Sequence, residues 1–88
     1  MKVIILYRPE SEYGRQVASF IHDYQTVHQD SKLEILNIDS RDGSATASLY
    51  DVMQNPAILI LRDDGSVVKS WEGETLPLMD EIAAYSYA

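Results

Sequence analysis

The residues of this chain best equipped for chemistry lie in one short run, Tyr7-Arg8-Pro9-Glu10-Ser11-Glu12-Tyr13-Gly14. Ser11 carries a hydroxyl that could act as a nucleophile at a helix N-terminus, where free N–H groups and the helix dipole stabilise an anion. A serine needs a base, and only His22 and His28 exist, both two or more turns further along the same helix. Geometry therefore disfavours a serine–histidine pair, and Ser11 reads better as an N-cap serving backbone N–H groups. Glu10 and Glu12 suit the positive end of that helix. Asp39 with Asp42, and Asp63 with Asp64, lack the regular oxygen spacing of a calcium loop, and turn chemistry accounts for them. The histidines show no metal-ligand pattern, and no cofactor is implied.

Composition narrows the field further. The chain has 88 residues, 14 acidic against 7 basic, and no cysteine. Its length predicts one domain over residues 1–88 with a modest core. Without cysteine there is no disulfide framework, thiolate metal site, thiol nucleophile or dithiol couple. A net charge of −7 argues against nucleic acid or an anionic membrane as partner, since both require a basic footprint. Val3-Ile4-Ile5-Leu6 is too short for a signal sequence or membrane span, so a cytoplasmic location is expected.

Periodicity supplies the elements that must position the Arg8–Gly14 run. Lys2 to Tyr7 reads as a strand buried on both faces. Tyr13, Val17, Phe20, Ile21, Tyr24 and Val27 recur at helical spacing, fading near His28. Leu33 to Ile38 reads as a second buried strand, and Asp39 to Gly43 as a loop. A short helix is expected from about Ser44 to Met53, with Ala45, Leu49, Val52 and Met53 inward. Pro56 to Leu61 forms a third strand, its proline at the first position where no ladder donor is lost. Asp64-Gly65 predicts a hairpin into Ser66 to Trp71, with Trp71 covering the sheet and Gly73 ending the strand. Thr75 and Pro77 open a last helix whose stripe is Leu78, Met79, Ile82 and Ala83. The order is β-α-β-α-β-β-α, an α/β fold. It predicts a mixed four-stranded sheet with helices on both faces and a parallel first pair.

Two stretches carry a resemblance to the thioredoxin-like superfamily. Leu49 to Leu61, with its Asn55-Pro56, is similar to the thioredoxin segment in which a short helix runs into a cis-proline and an apolar strand. Arg62 to Val68 and Gly73 extend that likeness. Tyr7 to Gly14 resembles the glutaredoxin active-site loop, a basic residue and proline followed by Cys-Pro-Tyr-Cys. Carried over position by position, the nucleophilic cysteine becomes Ser11, the proline Glu12 and the resolving cysteine Gly14, while the tyrosine survives as Tyr13. A hydroxyl cannot make or break a disulfide, so thiol–disulfide exchange is excluded.

The resemblance implies a redox-inactive domain that binds a protein or peptide. Its expected surface comprises Arg8, Glu10, Ser11, Glu12, Tyr13 and Gly14 together with Asn55 and Pro56, where the family pairs main chain with a ligand. Glu10 and Glu12 favour a basic or neutral partner. One alternative is a glutathione- or small-thiol-binding enzyme, with Arg8 meeting a ligand carboxylate and Ser11 or Tyr7 orienting its thiol. Another is a structural part of an assembly, joined through the C-terminal end, where Tyr85 and Tyr87 lie, or a sheet edge.

Overall fold

The computed structural model describes residues 2–28, 33–73, 81–82 and 84. Its elements are β1 (Lys2–Tyr7), α1 (Gly14–Val27), β2 (Leu33–Asn37), α2 (Arg41–Leu49), β3 (Ala57–Leu61) and β4 (Val67–Glu72). The strands form one sheet in the order β2-β1-β3-β4. β1 runs parallel to β2, while β3 is antiparallel to both β1 and β4.

The central strands are buried on both sides, which is why β1 and β3 are apolar at successive positions. Alternation sends their side chains to opposite faces. Val3, Ile5, Ile58 and Ile60 meet Val17, Ile21 and Tyr24 of α1 together with Ile82. On the other face Ile4, Leu6, Ala57, Leu59 and Leu61 meet Leu36, Ala47, Tyr50 and Val52. Each large side chain fully removed from water contributes about 1.5–3 kcal/mol. Trp71 packs on the first cluster, with the Lys69 ammonium 5.8 Å from its ring centre.

Several expectations need correction. β2 ends at Asn37 and is an edge strand, so it is half-covered, and Ile35 is 38% exposed. The run expected to be a loop after Asp39 is the start of α2. Ser40 caps that helix, accepting the Gly43 N–H at 3.0 Å, and Asp42 sits in its first turn. α2 also ends at Leu49, short of the expected Met53, so Tyr50 and Val52 lie beyond its last turn. Of the four residues expected inward, Val52 packs on the core, joined by Ala47 and Tyr50, while Ala45 is exposed, as are Leu49 (72%) and Met53 (85%). Val27, the last apolar position of α1, is also exposed.

The hairpin between β3 and β4 is closed by Gly65 N–H to Arg62 C=O and Arg62 N–H to Ser66 C=O, both 2.9 Å. Gly65 takes φ +90°, a conformation that favours glycine. Ser66 donates its N–H and hydroxyl to the Asp64 carboxylate, holding that group below the usual aspartate range. β4 ends at Glu72, followed by Gly73 at φ +96°. Glu81, Ile82 and Ala84 are helical. The rest of the expected last helix, from Thr75 through Met79 and at Ala83, lies outside the described residues, as do Tyr85 and Tyr87.

Candidate functional site

Strand register brings the two parts of the expected site to one end of the sheet. Leu6 pairs with Ala57, so the exit of β1 lies beside the entry of β3, with Tyr7 next to Pro56 in the antiparallel sequence. Tyr7 also pairs with Asn37 of β2 and accepts the Ile38 N–H at 3.0 Å. The loop after β1, the turn after β2, Asn55-Pro56 and the end of β4 therefore share one rim.

Two tight turns shape the loop after β1. Ser11 N–H donates to the Arg8 carbonyl, and Gly14 N–H donates to the Ser11 carbonyl, both at 3.0 Å. These turns delay α1 until Gly14, so the N-cap residue is Tyr13, which makes no side-chain cap bond. The expected N-cap role of Ser11 is thereby overturned. Its hydroxyl instead donates to the Arg8 carbonyl at 2.6 Å, fastening the loop to itself. Gly14 is buried, and a Cβ there would stand 1.9 Å from the Pro9 carbonyl oxygen. No side chain, a cysteine included, fits at position 14 unless the loop moves.

Arg8 has a different occupation from the one the resemblance implies. Its guanidinium binds Asp39 through Nε to Oδ2 at 2.7 Å and Nη2 to Oδ1 at 2.9 Å. The bond lowers the Asp39 pKa and raises that of Arg8. The charge that would meet a ligand carboxylate is already matched by a carboxylate of the chain. Over residues 9–14 only Glu10 and Glu12 are charged, and both are exposed. Tyr7 and Tyr13 are half-buried and pack against the first core cluster.

Across the rim, the Asn55–Pro56 peptide bond is cis, Pro56 is buried and Asn55 is half-buried. The Pro56 carbonyl accepts the Gly73 N–H at 3.0 Å, and the Met53 N–H donates to Glu72 Oε1 at 2.9 Å. A Cβ on Gly73 would stand 2.7 Å from Gln54 Oε1, so the Gln54 side chain lies across that glycine. These bonds fix the segment before β3 against the end of β4. Asp39, Gln54 and Glu72 belong to the rim but carry no sequence motif, and their partners are distant in the chain. The glycine at the end of β4 is the one local signal.

The Ser11 hydroxyl is bonded to the Arg8 carbonyl. His22 lies on α1 about 12 Å beyond Gly14 along the helix, far from the Ser11 hydroxyl. Among the described residues, no group of three histidine, aspartate or glutamate side chains is placed to hold a metal ion. No helix among them is long and apolar enough to cross a membrane.

The architecture matches solved thioredoxins. Thioredoxin 1 from Thermosipho africanus superposes with a TM-score of 0.69 at 13% identity, over 97% of this chain and 89% of that one. Thioredoxin O2 from Arabidopsis thaliana, in the oxidised state, gives 0.70 at 13% identity, over 94% and 69% of the two chains. A malarial protein gives 0.66 at 14% identity, over 97% and 93%. No protein-family model and no curated protein matches the sequence. The chain thus has the thioredoxin-like fold, α/β with a mixed four-stranded sheet, and it lacks every cysteine on which thiol–disulfide exchange depends.

Proposed function

We propose that this is a redox-inactive thioredoxin-like domain that binds an extended protein segment across the rim formed by Glu10 to Gly14 and Asn55-Pro56. The pairing of Leu6 with Ala57 carries the reading, because it sets the two loops side by side at one sheet end. Each loop is fixed by its own hydrogen bonds, so a ligand would meet a surface already in shape, which lowers the ordering cost of binding. Asn55 would supply main-chain hydrogen bonds to the ligand, while the Pro56 carbonyl is engaged by Gly73. Glu10 and Glu12 select a basic or neutral segment, and the domain acts by binding, with no catalytic residue and no cofactor.

The alternative of a glutathione-type ligand is disfavoured by the Arg8–Asp39 pair and the two glutamates, since each opposes an added carboxylate. The deciding test uses peptides selected from a displayed random library. Their affinity should fall tenfold or more in Glu12→Lys and Glu10→Lys, which reverse the charge that selects a basic or neutral segment. Peptides that bind both variants as well as the original would dismiss the rim.

A further inference from the structure

We propose that β2 is the seam of a symmetric homodimer, pairing antiparallel with β2 of a second copy about Ile35. Ile38 donates its N–H to the Tyr7 carbonyl, so the even-numbered residues of β2 turn their main-chain groups toward β1. Alternation along the strand then aims the main chain of Leu33, Ile35 and Asn37 at the outer edge. Among the described residues no strand lies beyond it. The Asn37 carbonyl faces away from the ladder accordingly, accepting the Ser40 N–H at 2.9 Å and hydroxyl at 2.6 Å.

The two edges of the sheet differ in what guards them. β4 carries Lys69 and a register shift against Ile60 and Leu61, and a lysine or a bulge keeps a second strand away. β2, with the sequence LEILN, has no lysine, no proline and no register shift. Its single charge, Glu34, is held in a salt bridge by Lys2 of the neighbouring β1.

The sequence of this edge fits itself. Centred on Ile35, antiparallel pairing sets Ile35 against Ile35, Glu34 against Leu36 and Leu33 against Asn37, with no like charges opposed. The central pair exchanges both N–H···O bonds, and at each end the Leu33 carbonyl accepts the Asn37 N–H. The exposed Ile35 side chains, both on the α1 side, cover one another. A seam of five residues is about 17 Å long and falls short of the roughly 1,200 Å² of a stable complex, so the dimer is weak and reversible. Each copy carries −7, and added salt screens that repulsion and strengthens the dimer.

The absence of cysteine makes the test clean, because an introduced thiol is the only one in the chain. Facing residues of a hydrogen-bonded antiparallel pair lie about 5.5 Å apart at Cα, within disulfide reach. Under mild oxidation, Ile35→Cys should cross-link at least tenfold faster than Val67→Cys on the opposite edge. Sedimentation of the unaltered protein should show a dimer that grows between low and high salt, and Ile35→Lys should abolish it with little change in melting temperature. Equal cross-linking rates, or a monomer at millimolar concentration in high salt, would overturn the seam.

Discussion

The Arg8 guanidinium and the Asp39 carboxylate face one another in a two-bond clasp, Nε to Oδ2 at 2.7 Å and Nη2 to Oδ1 at 2.9 Å. It ties the loop after β1 to the turn before α2. Both groups are exposed, so the stabilisation is small and falls with salt. The folded state lowers the Asp39 pKa, so its contribution is complete above the unfolded aspartate value of about 3.9 and fades as pH falls through the lower folded value. Arg8 is raised, and its share is constant below its own range. Asp39→Asn should therefore melt slightly lower than the original protein at pH 7, and the difference should shrink as pH falls below the ordinary aspartate range. Thermal unfolding across that pH series checks this.

Gly14 fixes the start of α1. A methyl group added there would be 1.9 Å from the Pro9 oxygen, a backbone atom that cannot rotate aside. Gly14→Ala should cost about 3 kcal/mol in denaturant unfolding, at the upper end of the overpacking range. Ser11→Cys should cost less than about 1.5 kcal/mol, since it loses one hydrogen bond at a half-exposed site. The double change Ser11→Cys with Gly14→Cys should lose most of what Gly14→Ala loses.

Much of the frame was legible because β1, β3 and α1 carry unmixed periodic signals and Asp64-Gly65 marks its turn. Two helix starts were harder to read. At Ser11 the residue type suits a cap, but successive turns from Arg8 and Ser11 use the positions the first helical turn would need. At Ser40 the surrounding Asp39, Arg41, Asp42 and Gly43 have loop composition, although a serine with an acidic residue in the next turn is a helix signal. In α2, Arg41–Leu49, Ala47 faces the sheet, and Leu49, two residues on and so on the opposite side of the helix, is exposed. Of the site, the loops were legible but their wiring was not. Arg8 and Asp39 are 31 positions apart, and no local pattern joins them.

Ser40 does two jobs with one hydroxyl, accepting from the Gly43 N–H and donating to the Asn37 carbonyl at 2.6 Å. Ser40→Ala should lower stability by about 1 kcal/mol or a little more, the usual cost of removing a good cap. Ser40→Asp should recover part of that loss, because the carboxylate restores the cap acceptor but cannot donate. Denaturant midpoints of the two variants distinguish the roles.

Glutathione should leave the protein unaffected. A ligand present at 100 times its dissociation constant adds about 2.7 kcal/mol, a shift of several degrees in melting temperature. With Arg8 engaged by Asp39 and Glu10 and Glu12 beside it, 10 mM glutathione should give no such shift. A rise of several degrees would restore the thiol-ligand reading.

The most direct test of the binding rim is amide chemical-shift mapping with a library-selected peptide on the uniformly labelled protein. The predicted result is a peptide of neutral or basic charge whose addition moves the resonances of Glu10 to Gly14 and of Asn55 together, while those of the 62–66 hairpin at the opposite end stay fixed. Shifts confined to the hairpin or to another face, with Glu10 to Gly14 and Asn55 unmoved, would contradict it.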